Sequence, residues 1–255
     1  MRLSADVAAL LTTLLVALRL GVALVLTPVL AFGAVPTRFR VILVVGFAGL
    51  LVAVTGTRAA GGTIDVVGFA GMAASEAVLG ALLGFGILAA FAAFQLAGRV
   101  IDLQLGFGVV TLIDPATRGH APLLGTLLWM TAVAVFFAID GHHALLRAFA
   151  LSLEALPPGT ALREGAIAPV VAQFGLMFSF ALAIAAPVIF TLLLVDTVVA
   201  VMARTMPQMN IFFVSLPLKV LVGLLTLALA VVHAGPVARR CFESIFTMWE
   251  GVLTR

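Results

Sequence analysis

Residues 64–97 read IDVVGFAGMAASEAVLGALLGFGILAAFAAFQLA, 34 positions of almost unbroken apolar sequence. The run is continuous. It does not alternate polar with apolar over about ten residues, as a strand of an outer-membrane barrel would. Backbone polar groups must be satisfied internally in hydrocarbon, so a helix is what remains. A straight helix of this length would reach about 51 Å, well beyond a hydrocarbon core of roughly 30 Å. The fold class follows: an all-α, polytopic integral membrane protein whose helices outrun a simple span.

Five further apolar segments flank this one, at residues 7–32, 41–55, 123–150, 166–203 and 211–237. Together they make about six long apolar segments forming broken helical hairpins. Residues 166–203 would reach about 57 Å as one helix, whereas 41–55 is short even for an untilted span. Pro187 removes a backbone donor in the middle of the longest segment, and Pro217 interrupts the last. Two explanations of the excess length stay open: tilt and kinking within the bilayer, or projection beyond it against protein. Gly80 and Gly84 have the GxxxG spacing that lets a second helix backbone come close. The chain reads as one membrane-embedded domain, with amino-terminal helices at 1–98, a central loop at 99–122, helical hairpins at 123–237 and an amphipathic tail at 238–255.

Composition agrees. The 255 residues are 64% hydrophobic and 10% charged, against roughly half and a quarter in soluble domains. The formal charge of +3 comes from scattered basic residues, with no basic stripe interleaved with aromatics, so nucleic acid is not an expected partner. With six spans, Arg2, Arg58, Arg163, Arg239, Arg240 and Arg255 fall on one side. Arg38, Arg40, Arg99, Arg118, Arg204 and Lys219 fall on the other, and this tie gives no orientation. The first apolar run is longer than a secretory-signal core of roughly 7–15 residues and reads as a retained span. Cys241 is the single cysteine, which excludes an intrachain disulfide and, alone, a thiolate metal site.

The most irregular stretch is residues 99–122, RVIDLQLGFGVVTLIDPATRGHAP. Gly106 and Gly108 bracket Phe107, where backbone freedom is greatest, and Asp114 before Pro115 avoids helical geometry and starts a turn. Further on, Pro157, Pro158 and Gly159 end a helix firmly. In ARTMPQMNIFFVSLPLK, residues 203–219, Pro207 breaks the helix while Arg204, Gln208 and Asn210 supply polar groups for a turn. That tip reads as a hinged, irregular connector, either solvated or touching other subunits. In the tail, Phe242, Ile245, Phe246, Trp249 and Val252 share one helical face, which fits a helix on the membrane surface or one docked on a partner.

Ionisable groups inside apolar segments are costly and therefore candidates: Arg19, Glu76, Asp140, Arg147 and Asp196. Asp140, His143 and Arg147 fall on one helical face, and the plain reading is that Asp140 neutralises Arg147 near a water-exposed helix end; the sharper one is a proton relay. His142 and His143 are adjacent and point to different faces, unlike the i, i+3 or i, i+4 pairs of helical metal sites, so no metal is expected. No phosphate-cradling glycine loop and no Gly-x-Ser-x-Gly motif is present. Neither an enzyme nor a cofactor is expected.

LGFGVVTLIDPATRGHAPLLG, then IDGHHALLRAFALSLEALPPG, then ARTMPQMNIFFVSLPLK, in this order and spacing, resemble the FliR family, the T-type export-gate subunits of type III secretion systems. The resemblance spans residues 105–219, with length and hydropathy agreeing over the remainder. It implies a subunit that joins P-type and Q-type subunits (FliP and FliQ) in a helical core, beside the B-type switch subunit, in the inner membrane at the flagellar basal body. That core passes unfolded polypeptides and sits largely above the bilayer plane, which would explain overlong helices. The loop then corresponds to the family's plug, made of Gly106, Phe107, Gly108, Val109, Val110, Ile113, Asp114 and Pro115, in which Phe107, Val109, Val110 and Ile113 are the apolar groups that would fill the pore. Asp140, His143 and Arg147, and the hairpin from Arg204 to Lys219, become assembly contacts. The rival readings are a secondary transporter with interrupted helices around Glu76, Asp196, Pro187 and Pro217, a membrane enzyme using Asp140, His142 and His143, and the equivalent subunit of a virulence injectisome. No convincing internal repeat between the halves supports the transporter.

Overall fold

A computed structural model of the chain describes residues 2–25, 27, 36–57, 66–107, 122–160, 165–206 and 211–254. The described elements are α1 (Arg2–Val25), α2 (Thr37–Thr55), α3 (Val66–Gln104), α4 (Leu123–Ala138), α5 (Gly141–Ala155), α6 (Ile167–Thr205), α7 (Ile211–His233) and α8 (Gly235–Thr254). No strand occurs among the described residues, and the chain is an all-α, polytopic membrane protein. Five of these helices are long and apolar enough to cross a membrane, or six if α4 and α5, bent by 71° at their break, count as one.

Helix boundaries follow backbone chemistry more than hydropathy. The short run at 41–55 is part of a 19-residue helix, because Pro36 is well placed before a first turn and its carbonyl accepts from Phe39 and Arg40. Gly56, at φ 64°, ends α2 in the left-handed conformation. α3 continues past residue 97 to Gln104, giving 39 residues. α6 also runs for 39 residues and passes through Pro187 without ending. Pro217 likewise lies inside α7 and does not interrupt it. Each proline removes one donor, and neighbouring bonds in a long apolar helix hold the rest of the ladder. The last apolar run divides at Ala234, with Pro236 in the first turn of α8, where its missing N–H is not needed.

The residues group into two compact units. The first comprises Met1–Ala90, Phe136–Phe174 and Phe242–Arg255; the second comprises Phe91–Val135 and Gly175–Cys241. In the first, Leu15, Val16 and Leu20 of α1, Leu79, Leu83 and Ile87 of α3, Leu145, Phe149 and Leu153 of α5, and Phe242, Ile245, Trp249 and Val252 of α8 are buried. In the second, Phe91, Phe94, Ile101 and Leu105 are buried with Leu124, Leu128, Val188, Leu192 and Leu227.

α8 departs from the expectation of a helix on the membrane surface. Its apolar stripe packs within the first unit: Trp249 Nε1 donates to the Leu83 carbonyl at 3.0 Å, and its ring meets Phe149 edge-on at 4.8 Å between centroids. Phe242 meets Phe136 in the same way at 5.2 Å. By contrast α6 exposes Phe178, Leu182, Phe190, Leu193, Leu194 and Val198, and α7 exposes Leu221, Leu225, Leu229 and Val232. Apolar surface of that extent needs lipid or protein to cover it.

Candidate functional site

The described part of the central loop is its base. α3 ends where Gly106 adopts φ 84°. The Gly106 N–H donates to the Leu103 carbonyl at 3.1 Å and the Phe107 N–H to the Asp102 carbonyl at 3.0 Å. This reciprocal pair is the Schellman ending, which requires a left-handed residue just past the helix. Gly106 therefore spends its freedom on stopping α3. On the other side, α4 starts with free N–H groups, as every helix does. The buried Asp102 carboxylate satisfies them from 22 positions upstream: Oδ1 accepts from Leu124 at 3.1 Å, and Oδ2 from Leu124 and Gly125 at 3.2 Å each. One turn before Asp102, Gly98 lies against the backbone of Leu124 and Gly125, and a Cβ there would collide with it.

A second polar centre lies within the first unit. Arg19 and Glu76 are each 1% exposed, and Arg19 Nε meets Glu76 Oε2 at 2.6 Å while Nη2 meets Oε1 at 3.0 Å. Arg19 Nη1 also donates to the Ser152 carbonyl at 3.0 Å and Nη2 to the Leu156 carbonyl at 2.9 Å. Glu76 Oε1 accepts from the Gly159 N–H at 3.0 Å. The guanidinium thus caps the end of α5, where the helix dipole favours a cation, and the carboxylate fixes the Pro157–Pro158–Gly159 turn. Gly80, one turn after Glu76, lies directly under the Arg19 backbone, with no room for a Cβ. Gly84 is buried on the same helix.

At the break between α4 and α5, Asp140 takes the left-handed conformation at φ 57°. Its Oδ1 is 3.3 Å from His143 Nδ1, with both side chains exposed. Among the described residues the side chain that the Asp140 carboxylate meets is His143 and not Arg147. Ligating atoms of Asp140, His142 and His143 lie within 4.8 Å of one another. Adjacency does not separate the two imidazoles, whose centroids are 4.0 Å apart. One carboxylate and two imidazoles suit zinc, but the group stands at the start of α5, where the dipole opposes a cation. In the second unit, Lys219 Nζ pairs with Asp196 Oδ1, and Arg204 is exposed in the last turn of α6.

A family described as bacterial export proteins, family 1, matches residues 10–245. The chain belongs to that family. It is similar to the flagellar biosynthetic protein FliR of Bacillus subtilis, 32% identical over 136 residues, which are 52% of each chain. It is similar to FliR of Escherichia coli, 27% identical over 145 residues, 56% of each. It also resembles the secretion system apparatus protein SsaT of Salmonella typhimurium, 26% identical over 126 residues, 49% of each. The chain spans about half the length of the curated relatives it matches.

For a bacterial export protein, two elements of the described site escaped sequence reasoning. Asp102 was visible only as a charge in the loop, and its signal was an acidic residue near a helix end that precedes a long connection. Arg19 and Glu76 were each visible as costly intramembrane charges, but nothing joined them. Of the expected plug residues, Gly106 and Phe107 are described at the loop base, and Phe107 is half-buried. Gly108, Val109, Val110, Ile113, Asp114 and Pro115 lie outside the described residues, as do Pro207, Gln208 and Asn210.

Proposed function

We propose that the chain is a structural subunit of a flagellar type III export gate in the bacterial inner membrane, forming and sealing the pore through which unfolded flagellar proteins leave. Its partners are the P-type and Q-type subunits (FliP and FliQ), the B-type switch subunit, the exported polypeptides and membrane lipid. It performs no catalysis of its own. The observation that carries this reading is the family match over residues 10–245, with FliR proteins among the relatives. The exposed apolar faces of α6 and α7 support it as surfaces for neighbouring subunits and lipid, and the exposed Asp140, His143 and Arg147 as assembly contacts.

The central loop is the stopper in this reading. Apolar side chains at Phe107, Val109, Val110 and Ile113 exclude ions by dewetting a constriction, and Asp114–Pro115 turn the chain back. Replacing residues 107–110 with Gly and Ser leaves assembly intact and raises resting ion conductance of the reconstituted complex. Unchanged conductance overturns the stopper.

The similarity to SsaT favours a second reading, the equivalent subunit of an injectisome. Expression in a strain lacking its flagellar FliR separates the two, since only a flagellar subunit restores motility.

A further inference from the structure

We propose that Asp102 is a positioning residue that closes the base of the central loop by tying the end of α3 to the start of α4. The inference rests on the stopper reading of that loop. Three oxygens of this one residue tie the two ends together. Its carbonyl accepts from Phe107 at 3.0 Å, holding the exit from α3. Its two carboxylate oxygens accept from Leu124 and Gly125 at 3.1–3.2 Å, holding the entry to α4. A carboxylate suits the task because it offers two acceptors and the start of a helix favours negative charge.

The neighbours make the stem stiff. Gly98 and Asp102 are four residues apart, hence on one face of α3. Gly98 brings the backbones of α3 and α4 together where Asp102 bonds them. Leu105, just past α3, is buried against Gly223 of α7. Asp102 is 5% exposed, so water does not compete for these bonds. Cutting them frees the start of α4 and lets the loop ends separate, which unseats the stopper even with its apolar tip unchanged.

The test uses the chain assembled with its gate subunits and reconstituted in liposomes, comparing wild type, Asp102→Ala, Asp102→Asn and the 107–110 Gly/Ser variant. Losing the capping bonds at roughly 1.4 kcal/mol shifts the seated population about tenfold, so Asp102→Ala raises resting ion flux about tenfold. Asp102→Asn keeps an amide oxygen in place and restores most of the seal, which a general packing defect would not allow. If Asp102→Ala stays tight while the 107–110 variant leaks, the stopper stands and the clamp is overturned. If neither leaks, both fall. If Asp102→Asn leaks as much as Asp102→Ala, the acceptor role is overturned. Hydrogen exchange on the wild-type complex tests the clamp without a variant. The Leu124 and Gly125 amides, which lack helical partners of their own, exchange as slowly as the middle of α4, and exchange at the rate of a free helix start overturns the inference.

Discussion

Arg19 and Glu76 stand 57 positions apart in the chain and meet in a two-pronged ion pair closed to water, with Nε–Oε2 2.6 Å and Nη2–Oε1 3.0 Å. Desolvating two charges is costly, and their attraction offsets it only when the remaining donors and acceptors are also used. Here Ser152, Leu156 and Gly159 use them. The pair therefore welds α1 and α3 to the end of α5.

Removing one member leaves a buried charge uncompensated. Glu76→Ala is expected to destabilise the fold by about 3–5 kcal/mol, while the double variant Arg19→Met, Glu76→Leu recovers much of that loss. Thermal unfolding of the purified chain in detergent measures both. A single variant as stable as wild type would show that the pair carries no structural weight.

Gly80 and Gly46 make opposite predictions from the same substitution. A Cβ at Gly80 meets the Arg19 backbone, whereas one at Gly46 on α2 meets nothing within 4 Å. Gly80→Ala forces α1 off α3 and costs about 1–3 kcal/mol. Gly46→Ala relieves the helix penalty of glycine and stabilises by about 0.5–1 kcal/mol. Opposite shifts in the same melting assay are expected, and equal shifts would contradict the close approach of α1 to α3.

Membrane helices were legible in the sequence because hydrocarbon permits few alternatives, and residues 64–97 and 166–203 declare themselves by apolar length alone. Their ends were less legible. Thr37–Arg40 and residues 98–104 are polar enough to end a hydropathy run, yet their backbones remain helical, because a helix needs only its own hydrogen bonds. Pro217 misled for a related reason: losing one donor does not stop a ladder that the rest of α7 sustains. Local spacing correctly placed the Pro157–Gly159 stop but could not join Arg19 to Glu76, since helical periodicity relates only residues a turn or two apart. Asp140 shows the converse failure. An ideal helix through it predicts a face shared with Arg147, and its left-handed φ of 57° cancels that geometry.

Trp249 predicts what holds the tail. Its indole N–H bonds the Leu83 carbonyl at 3.0 Å and its ring packs on Phe149. Trp249→Phe keeps most of the contact and loses about 1 kcal/mol, whereas Trp249→Ala opens a cavity worth about 3–5 kcal/mol. Limited proteolysis reads the difference locally, with cleavage in α8 strongly accelerated in Trp249→Ala and little changed in Trp249→Phe. Resistance in both would mean that α8 is held elsewhere.

Cys241 gives a pH dependence with a definite sign. It is buried on α8, and burial pushes its thiol up from the usual 9.0 to about 12. Only the thiolate attacks alkylating reagents, so the folded chain stays unlabelled by iodoacetamide near neutral pH and becomes labelled once unfolded, as intact mass will show. The folded state holds this proton more tightly than the unfolded one. The stability it contributes is therefore fully present below pH 9.0 and is lost as pH rises towards about 12. Cys241→Ala removes that component, and its thermal midpoint falls less steeply than that of the wild type between pH 9.0 and about 12. Parallel curves for the two chains would show that the thiol titrates no differently in the folded and unfolded states.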